Sequence, residues 1–171
     1  MIGRKLSERL AKDGSLNGKP VDKMTLTDVV APTAPAGFSG KVAARVDDLP
    51  APGVAEKLIA GRPDVIFHLA GVVSGEAELD FDKGYRVNVD AMHHLLEAIR
   101  KKGNKPRLVF TSSIAVFGGE LPDPIPDDYH LTPPNSYGAA KVICEEYLAD
   151  YTRRGFVDGV GLRFSLKRHI T

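Results

Sequence analysis

A tyrosine and a lysine four positions apart, with a serine upstream, are the residues of this sequence best suited to acid–base chemistry. The run from Tyr137 to Lys141 reads Tyr-Gly-Ala-Ala-Lys, and Ser113 lies 24 positions before Tyr137. Residues four apart on a helix share a face, so we expect the Lys141 ammonium to lie beside the Tyr137 phenol and to favour its ionised form. A Ser113 hydroxyl from a separate strand could then bind the same substrate oxygen. This set predicts proton transfer to or from an alcohol while a bound cofactor takes the hydride.

Apolar patterns that alternate between strand and helix spacing predict the elements that position these residues. The predicted strands cover residues 24–30, 42–46, 65–70, 108–110 and 159–164. The predicted helices are one from Ile2 to near Gly14, one at 55–60, one long helix with Val87, Ala91, Leu95 and Ile99 on one face and its end at Gly103, and the helix that bears Tyr137. This alternation favours an α/β fold, a doubly wound parallel sheet with helices on both faces.

Three polar or glycine-containing segments follow predicted strands directly. They are Asp28, the Ala70–Gly71 turn and the Ser112–Ser113 pair. Parallel sheets of this type bind their ligands outside the carboxyl ends of the strands, so the sequence predicts a ligand site built from these segments.

Length, charge balance, cysteine content and apolar stretches narrow the classes of protein to which this chain can belong. The chain of 171 residues has the length of one domain and contains 23 basic and 22 acidic residues. Balanced charge disfavours nucleic-acid binding, which needs a basic stripe. A single cysteine, Cys144, cannot form an internal disulfide, so we expect a reducing, cytoplasmic location. Apolar stretches fall short of the roughly 20 residues of a membrane span, and no signal-peptide pattern is present, so no membrane partner is expected.

The same residues resemble the extended short-chain dehydrogenase/reductase family, also called the NAD-dependent epimerase/dehydratase family, from residue 1 to about residue 164. Within the family the sequence is most similar to the D-erythronate dehydrogenase group. The segments behind this closer resemblance are 68–76, 80–82, 84–88, 113–119 and 151–158. The resemblance implies an NAD-dependent oxidoreductase of carbohydrate metabolism that oxidises a small sugar acid such as D-erythronate at C2. The alternatives are a nucleotide-sugar epimerase or dehydratase with tightly held NAD, or a truncated chain without catalysis.

The resemblance also assigns roles to the three reactive residues. Tyr137 would be the general acid/base, and Lys141 would increase its acidity and hold the nicotinamide ribose. Ser113 would bind the reacting oxygen, with Ser112 as its rival, although strand-end hydroxyls are often only caps. The alternative reading of the Tyr137–Lys141 pair is a half-buried tyrosine beside a surface lysine.

The remaining expectations concern the cofactor. Asp28 would accept hydrogen bonds from the adenosine ribose and repel a 2′-phosphate, which favours NAD over NADP; otherwise it is a loop aspartate. Ser74 would reach the nicotinamide or the substrate, and Asn88 would brace the sheet centre and a proton path unless it is only a polar helix residue. Asp48, with Leu49, would hold adenine or act as a turn residue. The other cofactor-binding candidates are Ile2, Gly3, Leu69, Ala70 and Gly71.

The two ends of the chain depart from the family pattern. The family opens with a strand and a Gly-x-x-Gly-x-x-Gly turn, of which only Met1-Ile2-Gly3 matches the tail, and residues 165–171 leave the pattern. We therefore expect residues 1–171 to form a single, incomplete Rossmann-like domain that lacks the usual first strand and the C-terminal substrate domain. Alone it should bind NAD weakly or not at all, and micromolar affinity by calorimetry would contradict this. Relatives commonly pair through the Tyr137 helix, which implies a homodimer.

Other residues that could do chemistry fit packing better. His68 lies within an apolar strand and is interpreted as a core or loop-support residue. Cys144 is interpreted as a packing residue rather than a nucleophile. His93 and His94 are adjacent and so cannot face one ligand from a helix, and no grouping has zinc spacing, so no metal is expected.

Overall fold

The computed structural model describes residues 2–165 and divides the chain into two units, Met1–Leu49 and Pro50–Thr171. Expectations that involve Met1 or residues 166–171 lie outside the described residues. Each unit contains its own parallel sheet. The predicted α/β class with parallel strands is confirmed.

The first unit begins with helix α1, Ile2–Asp13, which ends where Gly14 takes a φ of 62°. A short hairpin follows, made of β1, Ser15–Leu16, and β2, Lys19–Pro20. Its turn residues Asn17 and Gly18 have φ values of 50° and 75°, the left-handed pair that a two-residue hairpin turn requires. The parallel strands β3, Lys23–Asp28, and β4, Lys41–Val46, then pair in register from Lys23 with Lys41 to Asp28 with Val46.

The second unit is organised around three parallel strands in the order β5–β6–β7. These are β5, Val65–His68, β6, Arg107–Ser113, and β7, Asp158–Phe164. Its helices are α2, Val54–Ile59, α3, Ser74–Leu79, α4, Phe81–Tyr85, α5, Ala91–Lys102, and α6, Ser136–Arg153. The core lies between the strands and α2, α5 and α6; its largest fully buried side chains include Phe110, Met92, Leu96, Ile99 and Leu108.

The predicted long helix is interrupted. A wide π-helical turn, Arg86–Asp90, separates α4 from α5, and the Ala91 N–H bonds to the Arg86 carbonyl five residues back. Gly103 ends α5 as predicted, with a φ of 69°. At the wide turn the Asn88 side chain bonds to backbone outside the helix, which is where the regular ladder changes.

Strand β6 is longer than its apolar pattern predicts. Its polar residues Thr111, Ser112 and Ser113 still pair with β7, opposite Leu162, Arg163 and Phe164. Ser113 is therefore the last residue of a central strand. Across residues 2–165, every helix is too short or too polar to cross a bilayer.

Candidate active site

Helix α6 holds Tyr137 and Lys141 in its first two turns, and its start is capped from two directions. Asn135 Oδ1 accepts a hydrogen bond from the Gly138 N–H at 2.8 Å. Glu78 Oε1, from α3, accepts one from the Ser136 N–H at 2.6 Å. These caps satisfy donors that a helix start leaves unpaired, and they fix the turn that contains Tyr137.

The Lys141 ammonium is buried against β6. Its Nζ donates to the Thr111 carbonyl at 2.8 Å and lies 4.7 Å from the centroid of the Phe110 ring. The same nitrogen lies 5.5 Å from the centroid of the Tyr137 ring. Burial lowers the pKa of Lys141 below its ordinary value, whereas Cys144 and Glu145 act in the opposite direction. The structure thus brings the predicted cation beside the predicted phenol.

The two serines at the end of β6 have different surroundings. Ser112 is buried and donates its hydroxyl hydrogen to Glu145 Oε1. Ser113 is half-buried, and its Oγ accepts from the Ala115 N–H at 3.1 Å. The short 3₁₀ turn after it, Ile114–Val116, packs directly on α6, because a Cβ on Gly138 would collide with the Ala115 carbonyl oxygen. Ser113, which precedes the turn, and Tyr137, which precedes Gly138, therefore flank one tight contact between the 3₁₀ turn and α6.

The segment after β5 reaches the same place. Leu69 is half-buried, whereas Ala70, Gly71 and Ser74 are exposed, and Ser74 begins α3. A Cβ on Gly71 would lie 2.8 Å from Asn88 Oδ1 and 3.8 Å from Lys141 Nζ. The structure brings Gly71, Asn88 and Lys141 together.

Asn88 braces this segment from the wide turn. Its Oδ1 accepts from the Val72 N–H at 3.0 Å, and its Nδ2 donates to the Val72 carbonyl at 3.2 Å. Its own carbonyl accepts from Cys144 Sγ at 3.1 Å. Burial raises the pKa of the Cys144 thiol to about 12. Such a thiol stays protonated, which agrees with a packing role.

His68 lies in the interior beneath the site. It is 4 % exposed, and its ring stacks on Phe110 with the centroids 5.8 Å apart. Burial, and to a smaller extent the Lys141 charge, lowers the pKa of His68 to about 4. The residue is therefore a neutral imidazole at physiological pH. Within residues 2–165, His, Cys, Asp and Glu side chains form no group of three or more that could hold a metal ion.

The candidates in the first unit are described by themselves. Ile2 and Gly3 are exposed at the start of α1, and Asp28 is exposed at the end of β3. The Asp28 carboxylate accepts weakly from the Val30 N–H at 3.3 Å, and its carbonyl accepts from the Asp47 N–H at 3.0 Å. Asp48 and Leu49 follow, both half-buried. The carboxyl ends of β3 and β4 thus bring Asp28 near the segment that contains Asp48.

The residues around Gly71 fit one end of a dinucleotide. Gly71 presents exposed backbone without a side chain, directly beside a buried ammonium. A cofactor can approach the backbone closely at a strand end where no side chain intervenes, and a Cβ at Gly71 would block that approach.

Four residues that shape the site were not predicted from the sequence. They are Thr111, which accepts from Lys141, Gly138, which allows α6 to touch the 3₁₀ turn, and the pair Glu145 and Arg163. Two signals were available. Glu145 lies one helical turn after Lys141, and an arginine in the predicted strand 159–164, which has no other charged residue, needs a partner.

Known proteins match nearly the whole length of this chain. Residues 1–166 match the NAD dependent epimerase/dehydratase family. D-erythronate dehydrogenase from Cupriavidus necator is 48% identical over 167 residues, which cover 95% of this chain and 51% of that protein. The Haemophilus influenzae D-erythronate dehydrogenase is 43% identical over 159 residues, covering 92% of this chain and 50% of that protein. The chain spans about half the length of the curated relatives it matches.

Solved structures give the same result for the fold. A nucleoside-diphosphate-sugar epimerase from Agrobacterium tumefaciens superposes with a TM-score of 0.92 at 66% identity, covering 95% of this chain and 49% of that one. UDP-glucose 4-epimerase from Brucella ovis, in complex with NAD, gives a TM-score of 0.78 at 27% identity, covering 95% and 48%. With a Rossmann-like fold and a family match along nearly its whole length, the chain belongs to the NAD-dependent epimerase/dehydratase family.

Proposed function

We propose that the protein is an NAD-dependent oxidoreductase that oxidises a hydroxyl group of a small sugar acid, D-erythronate or a close analogue, at C2. The observation that supports this most directly is the buried Lys141 ammonium, held by the Thr111 carbonyl beside both the Tyr137 ring and the Gly71 backbone. Because the chain spans about half the length of its curated relatives, the activity of the whole protein is part of the proposal.

In this proposal each residue has one task. Tyr137 accepts the proton of the substrate hydroxyl, and the adjacent Lys141 ammonium stabilises the phenolate that this requires. Ser113 donates a hydrogen bond to the reacting oxygen and orients it toward Tyr137. NAD, when bound, supplies the acceptor for the hydride that leaves the same carbon.

The cofactor-binding residues follow from the strand ends. We propose that Leu69, Ala70 and Gly71 bind the dinucleotide by their backbone and that Ser74 reaches the nicotinamide or the substrate. Asn88 fixes this segment through Val72. Lys141 would also hold the nicotinamide ribose. In the first unit, Asp28 would accept from the adenosine ribose, Asp48 and Leu49 would contact adenine, and Ile2 and Gly3 would lie near the pyrophosphate. A cytoplasmic location, a homodimer and a single NAD-binding domain over residues 1–171 stay predictions.

The substrate class is supported by the relatives' names. Two proteins that are 48% and 43% identical over nearly this whole chain are D-erythronate dehydrogenases. A second candidate function has its own support, because the Agrobacterium tumefaciens structure at 66% identity is described as a nucleoside-diphosphate-sugar epimerase. Epimerisation would return the hydride to the sugar and release no reduced cofactor.

Product analysis separates the two candidates. The purified protein is incubated with NAD in large excess, because residues 1–171 alone are expected to bind it weakly, and with either D-erythronate or UDP-glucose. Both NADH and sugar products are measured. We expect one NADH per oxidised sugar acid with D-erythronate and no epimer from UDP-glucose. An epimer without NADH release would support the second candidate and contradict the first.

Replacing the phenol tests the assignment of the base. Tyr137→Phe should lower kcat by about 100- to 10,000-fold, the usual contribution of a general acid/base, and leave the unfolding free energy near that of the wild type. Tyr147→Phe, on the same helix but in ring contact with His93, is the matched control and should leave kcat unchanged. A Tyr137→Phe variant with wild-type kcat would refute the role.

A further inference from the structure

One carboxylate beside the candidate active site joins three elements. Glu145 lies on α6 one turn after Lys141, and its side chain is 13% exposed. Arg163, on β7, donates from Nη2 to Glu145 Oε2 at 2.8 Å and from Nε to Oε1 at 3.1 Å. Ser112, on β6, donates to the same Oε1. The carboxylate therefore links α6 to the carboxyl ends of β6 and β7.

Arg163 extends this link to the segment that follows Ser113. Its Nη1 donates to the Asp127 carbonyl at 2.8 Å. Its guanidinium carbon lies 5.0 Å from the centroid of the Phe117 ring, just after the 3₁₀ turn. A planar guanidinium that binds a carboxylate with two nitrogens and packs on an aromatic ring has a fixed orientation, which lysine could not reproduce.

The contact between Glu145 and Ser112 determines which of the two serine hydroxyls is available to a substrate. Ser112 is buried, and Glu145 on α6 uses its hydroxyl hydrogen. Ser113 Oγ acts as an acceptor from the Ala115 N–H, so its own hydroxyl hydrogen remains available for a substrate oxygen.

Glu145 also affects the ammonium group of Lys141. Ionisable groups face Lys141 from two elements: Tyr137, Cys144 and Glu145 on its own helix, and His68 on β5. Burial disfavours the ammonium, and the Glu145 carboxylate favours it. The Lys141 contact with the Thr111 carbonyl lies one residue before Ser112 on β6. Through Ser112, the neighbour of Thr111, Glu145 thus ties this end of β6 to the helix that bears Lys141.

We propose that Glu145 is a positioning residue of the active site: paired with Arg163, it keeps Ser112 turned away from the substrate, leaves Ser113 as the reacting-site hydroxyl, and holds the charged Lys141 turn of α6 against β6. This inference rests on the proposed acid–base roles of Tyr137, Lys141 and Ser113. A plain structural ion pair would tie β7 to α6 without affecting how Lys141 titrates.

Glu145→Gln tests the proposal, because it keeps the shape and removes the charge. Its control is Glu146→Gln, an exposed neighbour on the same helix. We expect Glu145→Gln to lower kcat about tenfold or more, as misplacement of a catalytic group does, with a smaller change in KM. The loss of activity at high pH should begin at a lower pH than in the wild type, because the Glu145 carboxylate no longer stabilises the Lys141 ammonium. Glu146→Gln should match the wild type in both measurements.

A second readout does not need activity. The pKa of Lys141 is measured by NMR of lysine side-chain nitrogens, with the signal assigned by its loss in Lys141→Met. We expect a downward shift in Glu145→Gln, and no shift in Glu146→Gln or in Ser112→Ala, which keeps the carboxylate. Should Glu145→Gln fail to fold, Arg163→Lys provides the same comparison: it retains one positive charge but loses the two-nitrogen geometry, and kcat should fall.

Three results would overturn the proposal. They are a folded Glu145→Gln variant with the wild-type Lys141 titration, the same variant with a wild-type pH profile, and a Ser112→Ala variant that loses as much kcat as Ser113→Ala. The last result would mean that Ser112 itself touches the substrate. If the wild type oxidises no sugar acid, the proposed function fails, while the NMR titration still decides whether Glu145 supports Lys141.

Discussion

Lys141 and His68 are two ionisable side chains that share one small buried region. Lys141 is 5% exposed and His68 is 4% exposed, and both lie against Phe110. Two cations there would repel each other in surroundings that stabilise charge poorly. The histidine is the one that gives up its proton, since its pKa falls to about 4.

This predicts how His68 affects acid stability. Below its ordinary pKa of 6.5 the unfolded histidine binds a proton that the folded one refuses down to about pH 4. The unfolded state thus binds more protons in this window, so folding stability should fall as the pH drops from 6.5 to 4, by about 3 kcal/mol from this group. Urea unfolding of His68→Phe across this range should show a correspondingly weaker pH dependence.

The control is His94→Gln, because His94 is exposed on α5. It should keep the wild-type pH dependence. Equal slopes for His68→Phe and the wild type would mean that His68 is protonated in the folded protein.

Much of the residue-level site could be predicted from sequence because its chemistry is local. The Tyr137–Lys141 spacing follows from helix geometry alone, and the Ser112–Ser113 pair ends a strand whose apolar residues are unmistakable. Which serine gives its hydroxyl hydrogen to Glu145 could not be predicted, because that carboxylate is also held by Arg163, which is distant in sequence and lies opposite Ser112 only through the sheet register. The need for glycine at position 138 likewise depends on a backbone that packs from another segment.

At the scale of elements, α5 and α6 are joined by a hydrogen bond between side chains as well as by the core. Tyr151 Oη, on α6, donates to Glu97 Oε1, on α5, at 2.6 Å. Arg100 binds the same carboxylate, with Nε 2.7 Å from Oε1. These hydrogen bonds, first that of Arg100 and then that of Tyr151, lower the pKa of Glu97 to about 2.

Tyr151→Phe should therefore destabilise the protein in a pH-dependent way. A hydrogen bond to a charged group contributes about 1.5–3 kcal/mol, and the lower end applies because the Glu97 side chain is 24% exposed. The contribution is present above the ordinary Glu97 pKa of 4.5 and is lost as the pH falls toward 2. Chemical unfolding at neutral pH should reveal the difference, and the two proteins should converge in acid. A constant difference across this range would exclude the charged hydrogen bond as its source.

The elements with strong periodicity were predictable, and the short ones were not. Strands β5 and β6 contain the apolar runs 65–67 and 108–110, which are half-buried or buried, and β7 was predictable although its Leu162 and Phe164 are exposed. The hairpin of β1 and β2 escaped prediction although its Asn17–Gly18 turn is a known signal. Helix α3 has no apolar face that could reveal it, since Leu79 is 91% exposed and only Ala77 is buried.

At the scale of the whole molecule, the first unit contributes the residue proposed to set the cofactor preference. Asp28 ends β3 with an exposed carboxylate whose one weak contact, to the Val30 N–H, leaves it able to accept from a ribose. A negative charge there opposes the 2′-phosphate of NADP.

Asp28→Ser should reduce the preference for NAD over NADP about tenfold, as expected for removing one repulsive contact of moderate strength. The measurement is kcat/KM for both cofactors with a saturating sugar acid. The control is Asp64→Asn, an exposed aspartate that precedes β5 and so lies at the opposite, amino end of its strand. An unchanged ratio in Asp28→Ser would remove Asp28 from the adenosine site.

The wide turn Arg86–Asp90 has a consequence for how the chain tolerates change in length. Such a turn holds more residues than an α-helical one, so each side chain after it is rotated by up to about 100° relative to an unbroken helix. Met92, Leu96 and Ile99 face the core only with that offset, while Asn88 reaches Val72 only within the turn itself. If one residue of the turn were deleted, the helix could become regular only by losing the Asn88 contact with Val72 in the loop after β5. Related sequences should therefore keep this spacing even where they change every side chain around it.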